Sequence, residues 1–319
     1  KFINPLTTGG LPVANGAATG ANAFNTIVMS NAKGGYNWMV TAQLSKQFSQ
    51  GLGLMVAYTR SDQRNFGDGA GDQLLNLWSI PPTAGNPNVP SLSYSQNLNP
   101  DRVIASLSYK KEYFKNLATS FSLFYEGSQQ GRFSYVYSGD FNRDGQSGND
   151  LLYVPRDPSE ITFSGNVVIP ASGSRPAITY TPQQQSDAFF AYIEQDDYLK
   201  TRKGQYAERN GATSPWRNQV DFRLTQEVFK NVGGSKNSIQ FSVDIFNFGN
   251  LLNKNWGALD FVNNNQILIP QSTGNINANT KPTFRLAQAS GDLIRETFST
   301  NETISSTYYM QFGIRYNFN

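Results

Sequence analysis

The last twelve residues, Tyr308 to Asn319, alternate without a break. Tyr308, Met310, Phe312, Ile314, Tyr316 and Phe318 fall on one face, and Tyr309, Gln311, Gly313, Arg315, Asn317 and Asn319 on the other. A period of two is strand periodicity, and unlike faces mean unlike surroundings. Aromatics at both ends, with Arg315 behind the apolar face, fit a transmembrane barrel strand with lipid outside and a wet lumen inside. An edge strand of a soluble sandwich alternates in the same way, so the rest of the chain has to separate the two readings.

Composition narrows the choice. No apolar run in the 319 residues approaches the stretch of roughly 18–20 that a spanning helix needs, which excludes a helical membrane protein. Barrel strands are only half apolar and escape that exclusion. The net charge of +3 does not fit a polybasic nucleic-acid binder. With 0 Cys there is no disulfide, thiolate metal site or cysteine nucleophile. With 0 His the commonest general base and transition-metal ligand are missing, and Ser-His-Asp and zinc-hydrolase chemistry go with them. The reading is therefore of a protein that is not an enzyme. The first residues, from Lys1 to Pro5, are not a signal peptide, which leaves a mature chain or a fragment of a longer one.

Strands are expected near 36–48, 52–60, 102–114, 117–138, 217–229, 238–248 and 307–318, with a strand tip at 24–30. In the first, Trp38, Val40, Ala42, Leu44 and Phe48 oppose Thr41, Gln43, Ser45 and Gln47; Trp38 to Phe48 matches the roughly 9–11 residues with which a tilted strand crosses a bilayer. Between strands the chain alternates tight turns with long excursions at 61–101, 139–215 and 249–306. A soluble sandwich seldom carries three such loops on one side, whereas outer-membrane barrels pair tight periplasmic turns with long external loops. Strands that run into a tight turn or the terminus finish in Phe48, Phe114, Phe229 and Phe318, which reads as a periplasmic aromatic girdle. Phe114 and Phe229 are one residue out of parity, which requires Tyr113 or Val228 to point outward instead, or a bulge. The expected fold is all-β: an antiparallel transmembrane β-barrel with long external loops and one short loop helix.

Several stretches are similar to a known family. Gly35-Tyr36-Asn37, Gln43 through Leu52, and Ala57-Tyr58-Thr59-Arg60-Ser61 resemble the barrel of TonB-dependent outer-membrane receptors, in particular the Oar-like branch common in Bacteroidetes. Gly131 to Asp140 with Asn149 to Pro155 resembles that branch's external-loop signature, and Asp244 to Asn253 its penultimate strand. The resemblance implies a barrel of about 22 strands with an N-terminal plug, in the outer membrane of a Gram-negative cell. Its loops would be extracellular and its C-terminus periplasmic. It implies transport of a peptide, protein or glycan, with membrane lipid, the TonB complex acting through the plug, and a surface lipoprotein or other outer-membrane proteins as partners. Seven strands, or eight with residues 24–30, are too few for that barrel, and no plug is read in the chain, so the expectation is the C-terminal part of the barrel. A complete eight-stranded barrel would need a strand from residues 1–30, which are rich in Gly and Pro. The runner-up is a passive structural barrel or a surface-interaction component of a larger assembly.

One loop has metal-ligand spacing. Asp140, Asn142 and Asp144 occupy positions 1, 3 and 5 of an EF-hand-like loop, Gly145 position 6 and Gln146 position 7, where a backbone carbonyl would serve. Leu151 stands where a bidentate Glu is expected, with Asp150 beside it as a substitute. Calcium is the candidate ion, and an Asx-turn loop held by its own side chains is the alternative. Thr181-Pro182-Gln183-Gln184 reads as a helix start, N-cap then Pro at N1 then Gln at N3. Glu194, Asp196 and Asp197 read as that helix's solvated face, and Arg202, Lys203 and Arg209 as charged loop surface. Asp221, Arg223, Glu227, Gln240, Asp244 and Arg315 are expected to pair across the lumenal face. Trp78, Tyr94 and Trp256 are expected in the external loops, stacking on a ligand or on each other.

Overall fold

Seven long strands carry the period-two pattern: β1 (Tyr36–Gln47), β2 (Leu52–Asn65), β3 (Asp101–Tyr113), β4 (Leu117–Gln129), β5 (Trp216–Lys230), β6 (Ser238–Phe246) and β7 (Tyr309–Asn317). The computed structural model describes residues 31–69, 71–114, 116–142, 146–230, 237–271 and 281–318; the expected strand tip at 24–30 lies outside them. The strands pair antiparallel in chain order, and the short segment Ser93–Tyr94 adds to β2. The sheet is open. β1 and β7 are its two edges and do not pair with each other.

Register turns seven alternating sequences into two continuous faces. Leu44, Val56, Ala105, Tyr125 and Val220 stand opposite one another on successive strands. So do Leu54, Leu107, Leu123, Phe222, Ile245 and Met310. The other parity gives the row Gly53, Ser108, Ser122, Arg223, Asp244 and Gln311. A slip of one residue would exchange the faces, so the apolar pattern fixes the register. On the apolar face Val40, Leu44, Leu54, Val56, Leu224, Phe241, Phe312 and Ile314 are exposed, while its residues on β3 and β4, such as Leu107 and Leu123, are half-buried.

The tight turns explain where the strands stop. At the β1–β2 turn Gly51 has φ +86, and a Cβ there would lie 2.2 Å from the Lys110 carbonyl oxygen, so only glycine fits. Phe48 therefore sits in the turn rather than in β1, its carbonyl accepting from the Gly51 N–H at 3.1 Å. Phe114 likewise falls in the turn after β3, with φ +48 and its side chain 85% exposed. Near the end of β5 the register shifts between Glu227 and Phe229, which leaves Val228 unpaired in the ladder and sets Phe229 opposite Ile239.

The largest departure from the sequence expectation follows β4. The strand expected to run through Tyr137 stops at Gln129, because Gly131 turns the chain at φ +127 and only Arg132–Phe133 pairs again, with Ala212–Thr213. Tyr135 and Tyr137 enter a buried core in the loops instead. Smaller differences fall at strand ends: β2 runs five residues beyond Arg60, β6 stops before Asn247, and Tyr308 and Phe318 flank β7.

The three long loops fold together into a cap at one end of the sheet. Its core joins Tyr135, Leu152, Phe189, Tyr192, Ile193 and Leu199 from the second loop to Ile267, Leu268, Leu286, Leu293 and Ile294 from the third. Each such fully buried side chain contributes about 1.5–3 kcal/mol. Phe163 of the second loop and Phe284 of the third pair in a short parallel bridge. The first loop joins through Thr83, whose N–H donates to the Asn149 carbonyl at 2.8 Å and whose carbonyl accepts from Leu151 at 2.9 Å. The expected helix is α2 (Pro182–Gln195), opened by the capping box of Thr181 and Gln184. Two shorter helices were not legible in the sequence: α1 (Leu74–Ser79) and α3 (Phe248–Leu252).

Candidate functional site

The polar face of the sheet and the underside of the cap are where a translocated or bound molecule would meet polar groups. On the polar face Arg223 pairs with Asp244 at 2.9 Å across β5 and β6, and Lys110 reaches Glu227 at 3.5 Å. Lys110 and Arg223 line a recess of about 430 Å³ toward the tight-turn end, together with Gln240 and Arg315. Asp221 does not pair with a cation; its Oδ1 accepts the N–H of Asn247 at 2.8 Å. Pairs this exposed add little stability, so they mainly set the sign and shape of the wall.

Asn247 is the pivot of the Asp244–Asn253 motif. It adopts a left-handed φ of +52 at the start of α3. Its side-chain amide donates to the carbonyls of Gly257 at 3.1 Å and Ser306 at 2.9 Å. Arg217 donates to the Gly257 and Ser305 carbonyls from the neighbouring strand. The motif therefore ties both ends of the third loop to β5 and β6.

A second tie holds the first loop to the second. Arg209, expected on a charged surface, is 3% exposed. Its guanidinium donates to Asn65 Oδ1 at 3.0 Å and to the Asn65 carbonyl at 2.5 Å, and lies 3.4 Å from Asp68. Burial acts to raise the Asp68 pKa. Hydrogen bonds from Ser95, Asn65 and the Gln96 amide, together with Arg209, outweigh it and leave the carboxyl below its ordinary value. Asn210, at φ +54, completes the tie by donating to Asp68 at 3.0 Å and to the Tyr94 carbonyl at 2.9 Å.

The third tie corrects the reading of α2. Glu194 and Asp197 are exposed, but Asp196 is buried. Its carboxylate accepts from Tyr135 Oη at 2.5 Å, Thr297 Oγ1 at 2.6 Å, the Tyr198 amide at 3.0 Å and the Leu199 amide at 2.7 Å. Four donors saturate it, so it is a structural anchor rather than an acid or base. The same burial raises the tyrosine pKa values: Tyr192 and Tyr198 to about 12, and Tyr135 and Tyr137 beyond the ordinary tyrosine range. Beside this network, a recess of about 490 Å³ lies between α2 and the segment from Arg295 to Phe298.

In the Asp140 loop, Asp144 lies outside the described residues. Asp150 Oδ2 accepts from the amides of Phe141 at 2.7 Å and Asn142 at 3.1 Å, closing the loop from its far end rather than as a local Asx-turn. The Asn142 side chain donates to the Gly85 carbonyl, stapling the loop to the first excursion. Among the described residues no cluster of three or more carboxylates forms a metal site.

The expected girdle residues Phe48, Phe114 and Phe318 are exposed, while Phe229 is described only by its pairing. Tyr308, Met310, Phe312, Ile314, Tyr316 and Phe318 are exposed as well. On β7 the polar neighbours are exposed too, because it is an edge, so here register rather than exposure distinguishes the faces. Trp78 bonds Asn88 within the first loop, and Trp256 is exposed beside Gly249. Compared with protein-family models, with curated proteins and with solved structures, the chain finds no match.

Proposed function

We propose that β1 to β7 are one sector of an outer-membrane β-barrel, the C-terminal part of a receptor of the TonB-dependent type, and that the protein transports a substrate across that membrane. The observation that carries the reading is the inversion of core and surface. An apolar face runs across seven strands, with exposed residues on β1, β2, β5, β6 and β7 and half-buried ones on β3 and β4, while the buried core lies in the loops. Water-soluble proteins seldom expose apolar patches beyond a few hundred Å², and lipid is the solvent in which such a face costs nothing. The strand geometry is compatible with this. From Val103 to Tyr113 is ten residue steps, about 34 Å along β3 and about 24 Å along a membrane normal at ~45° tilt.

On this reading the tight turns and the C-terminal end are periplasmic and the cap is extracellular. The substrate class is peptide, protein or glycan. The cap selects it, the polar wall conducts it, and energy arrives from the TonB complex through a plug outside these 319 residues. A surface lipoprotein is the natural further partner of the cap. Calcium at the Asp140 loop belongs to the proposal on sequence spacing alone. The described residues do not assemble a ligand set, and Asp150 closes the loop through backbone amides.

These 319 residues contain no cysteine, so a label placed in them has no competing thiol within this region. Single cysteines at Leu44, Phe312, Gln311 and Ser242 of the full-length protein in vesicles carry spin labels. Labels at Leu44 and Phe312 are expected to meet lipid-soluble oxygen, and those at Gln311 and Ser242 a water-soluble nickel chelate. Equal accessibility of the two pairs defeats the membrane reading. Uptake that stops when the proton-motive force is collapsed separates the receptor from the runner-up. That runner-up is a passive or surface-interaction barrel, favoured by the cap's filling of its own core.

A further inference from the structure

Above the apolar face stands a group of cations that the transport reading does not use. Arg64 has the parity of Leu54, Val56 and Tyr58 on β2, and pairs with Tyr36 on one side and Tyr94 on the other. The Arg64 guanidinium lies over the Tyr94 ring at 3.7 Å, and that of Arg132 over the same ring at 4.1 Å. Arg60 stands on the same face of β2, closer to the apolar band. Trp38 pairs with Asp62, so these cations sit at the level of the outermost aromatics of β1.

The nearby acids have other hydrogen-bond partners, though the Asp62 charge is felt by Arg132. Asp62 accepts from Tyr36 Oη at 2.8 Å, and Asp101 accepts from both Tyr58 and Arg60. Among the described residues neither Arg64 nor Arg132 enters an ion pair. Arg132 donates to the Asn210 carbonyl at 3.1 Å, yet its Nε is buried without a hydrogen-bond partner. An aromatic face holds a guanidinium in place but supplies no acceptor in the plane of its N–H groups. Two planar forks held on one ring at the edge of an apolar belt are an arrangement for a phosphate, which they bind in bidentate fashion.

We propose that Arg64 and Arg132 bind the phosphate of a lipid headgroup in the outer leaflet, fixing the height of the sheet in the membrane. The inference rests on the membrane reading of the apolar face. The tyrosine ring has a role in it: it holds two like charges on one side chain before the anion arrives.

The test uses the full-length protein in vesicles of phosphatidylcholine containing a minor fraction of phosphatidic acid, whose headgroup is a phosphate monoester. Native mass spectrometry after mild detergent release counts the lipids retained. Wild type is expected to enrich phosphatidic acid by about tenfold over its share of the vesicle, and Arg64→Gln/Arg132→Gln to lose most of that enrichment. The control Arg156→Gln/Lys200→Gln removes two cap cations that already have acid partners, and is expected to retain it. Equal enrichment in wild type and the Arg64/Arg132 variant overturns the site. Loss in the control as well reduces it to bulk charge, which also overturns it. If inorganic phosphate strips the lipid from wild type, the site serves a free anion and the headgroup assignment falls. Heat-modifiable migration on gels checks folding, and Arg64→Gln alone carries the same test if the double variant does not fold. Should the spin labels place Leu44 and Phe312 in lipid while enrichment is absent, this site fails and the membrane reading stands.

Discussion

Leu152 of the cap and Leu44 of β1 are the same side chain in opposite surroundings, 0% and 82% exposed. Around Leu152, segments of the second and third loops close a core of aromatic and aliphatic side chains. Around Leu44, five strands line up their apolar residues; Leu44 and Val56 are exposed, and Ala105, Tyr125 and Val220 are half-buried. In a water-soluble protein the strands make the core and the loops are surface. Here the assignment is inverted, and the two regions are held by different forces. The cap depends on burial and on saturated polar anchors such as Asp196 and Arg209. The sheet depends on its backbone ladder and on a solvent that tolerates its outer face.

The sharpest break of this comparison is a pair of truncations. Phe189→Ala removes a buried ring from the cap and is expected to cost about 3–5 kcal/mol. Leu44→Ala removes an exposed side chain and is expected to cost far less. Hydrogen exchange in vesicles reads both: faster exchange confined to the cap in the first, no change in the second. Comparable losses at the two positions would mean that Leu44 is covered by protein.

The second test acts on the sheet alone. Phe312→Arg and Ile314→Arg are expected to cost about 2–4 kcal/mol near the bilayer midplane, and Gln311→Arg well under half of that. Denaturant titration of the protein refolded into vesicles measures all three. No difference between the two parities would make β7 an ordinary polar edge.

Alkali separates the regions more gradually. Burial raises Tyr192 and Tyr198 to about 12 in the folded cap, against roughly 10 in an unfolded chain. A raised folded pKa gives stability that is complete below about 10 and is lost as pH climbs toward about 12. Protease sensitivity of the cap is expected to rise across that window together with phenolate absorbance, while the sheet's amide protection holds. Simultaneous loss of both regions would mean that they unfold as one unit.

The smallest expected effect concerns calcium. If an ion braces the Asp140 loop, chelation speeds cleavage between residues 139 and 160 in wild type but not in Asp140→Ala/Asp144→Ala. Cleavage that ignores the chelator leaves the loop to Asp150 and its two amide donors.

The sheet was legible because strand alternation is a local property: each residue's face follows from its neighbour's. The tight turn at Gly51 and the start of α2 at Thr181 are equally local, whereas Phe114 was expected to end a strand and falls in the turn. The Phe229 anomaly also had a local signal, a parity break that the register shift resolves. The cap was not legible, because its partners are far apart in the chain. Asp196 meets Thr297, 101 residues on, and Arg209 meets Asp68, 141 residues back. Read locally, Asp196 sits among helix-end carboxylates and Arg209 in a basic loop, and both appear solvated. Tyr135 and Tyr137 continue the alternation of β4 and so read as strand, until Gly131 turns them into the core.

The sequence by itself determined that the chain makes long antiparallel strands with one apolar and one polar face, because side-chain alternation and turn chemistry act within a few residues. Only the tertiary structure decided which apolar residues are buried. Burial depends on which distant segments meet, and here three loops meet one another while seven strands present their apolar side to the surroundings.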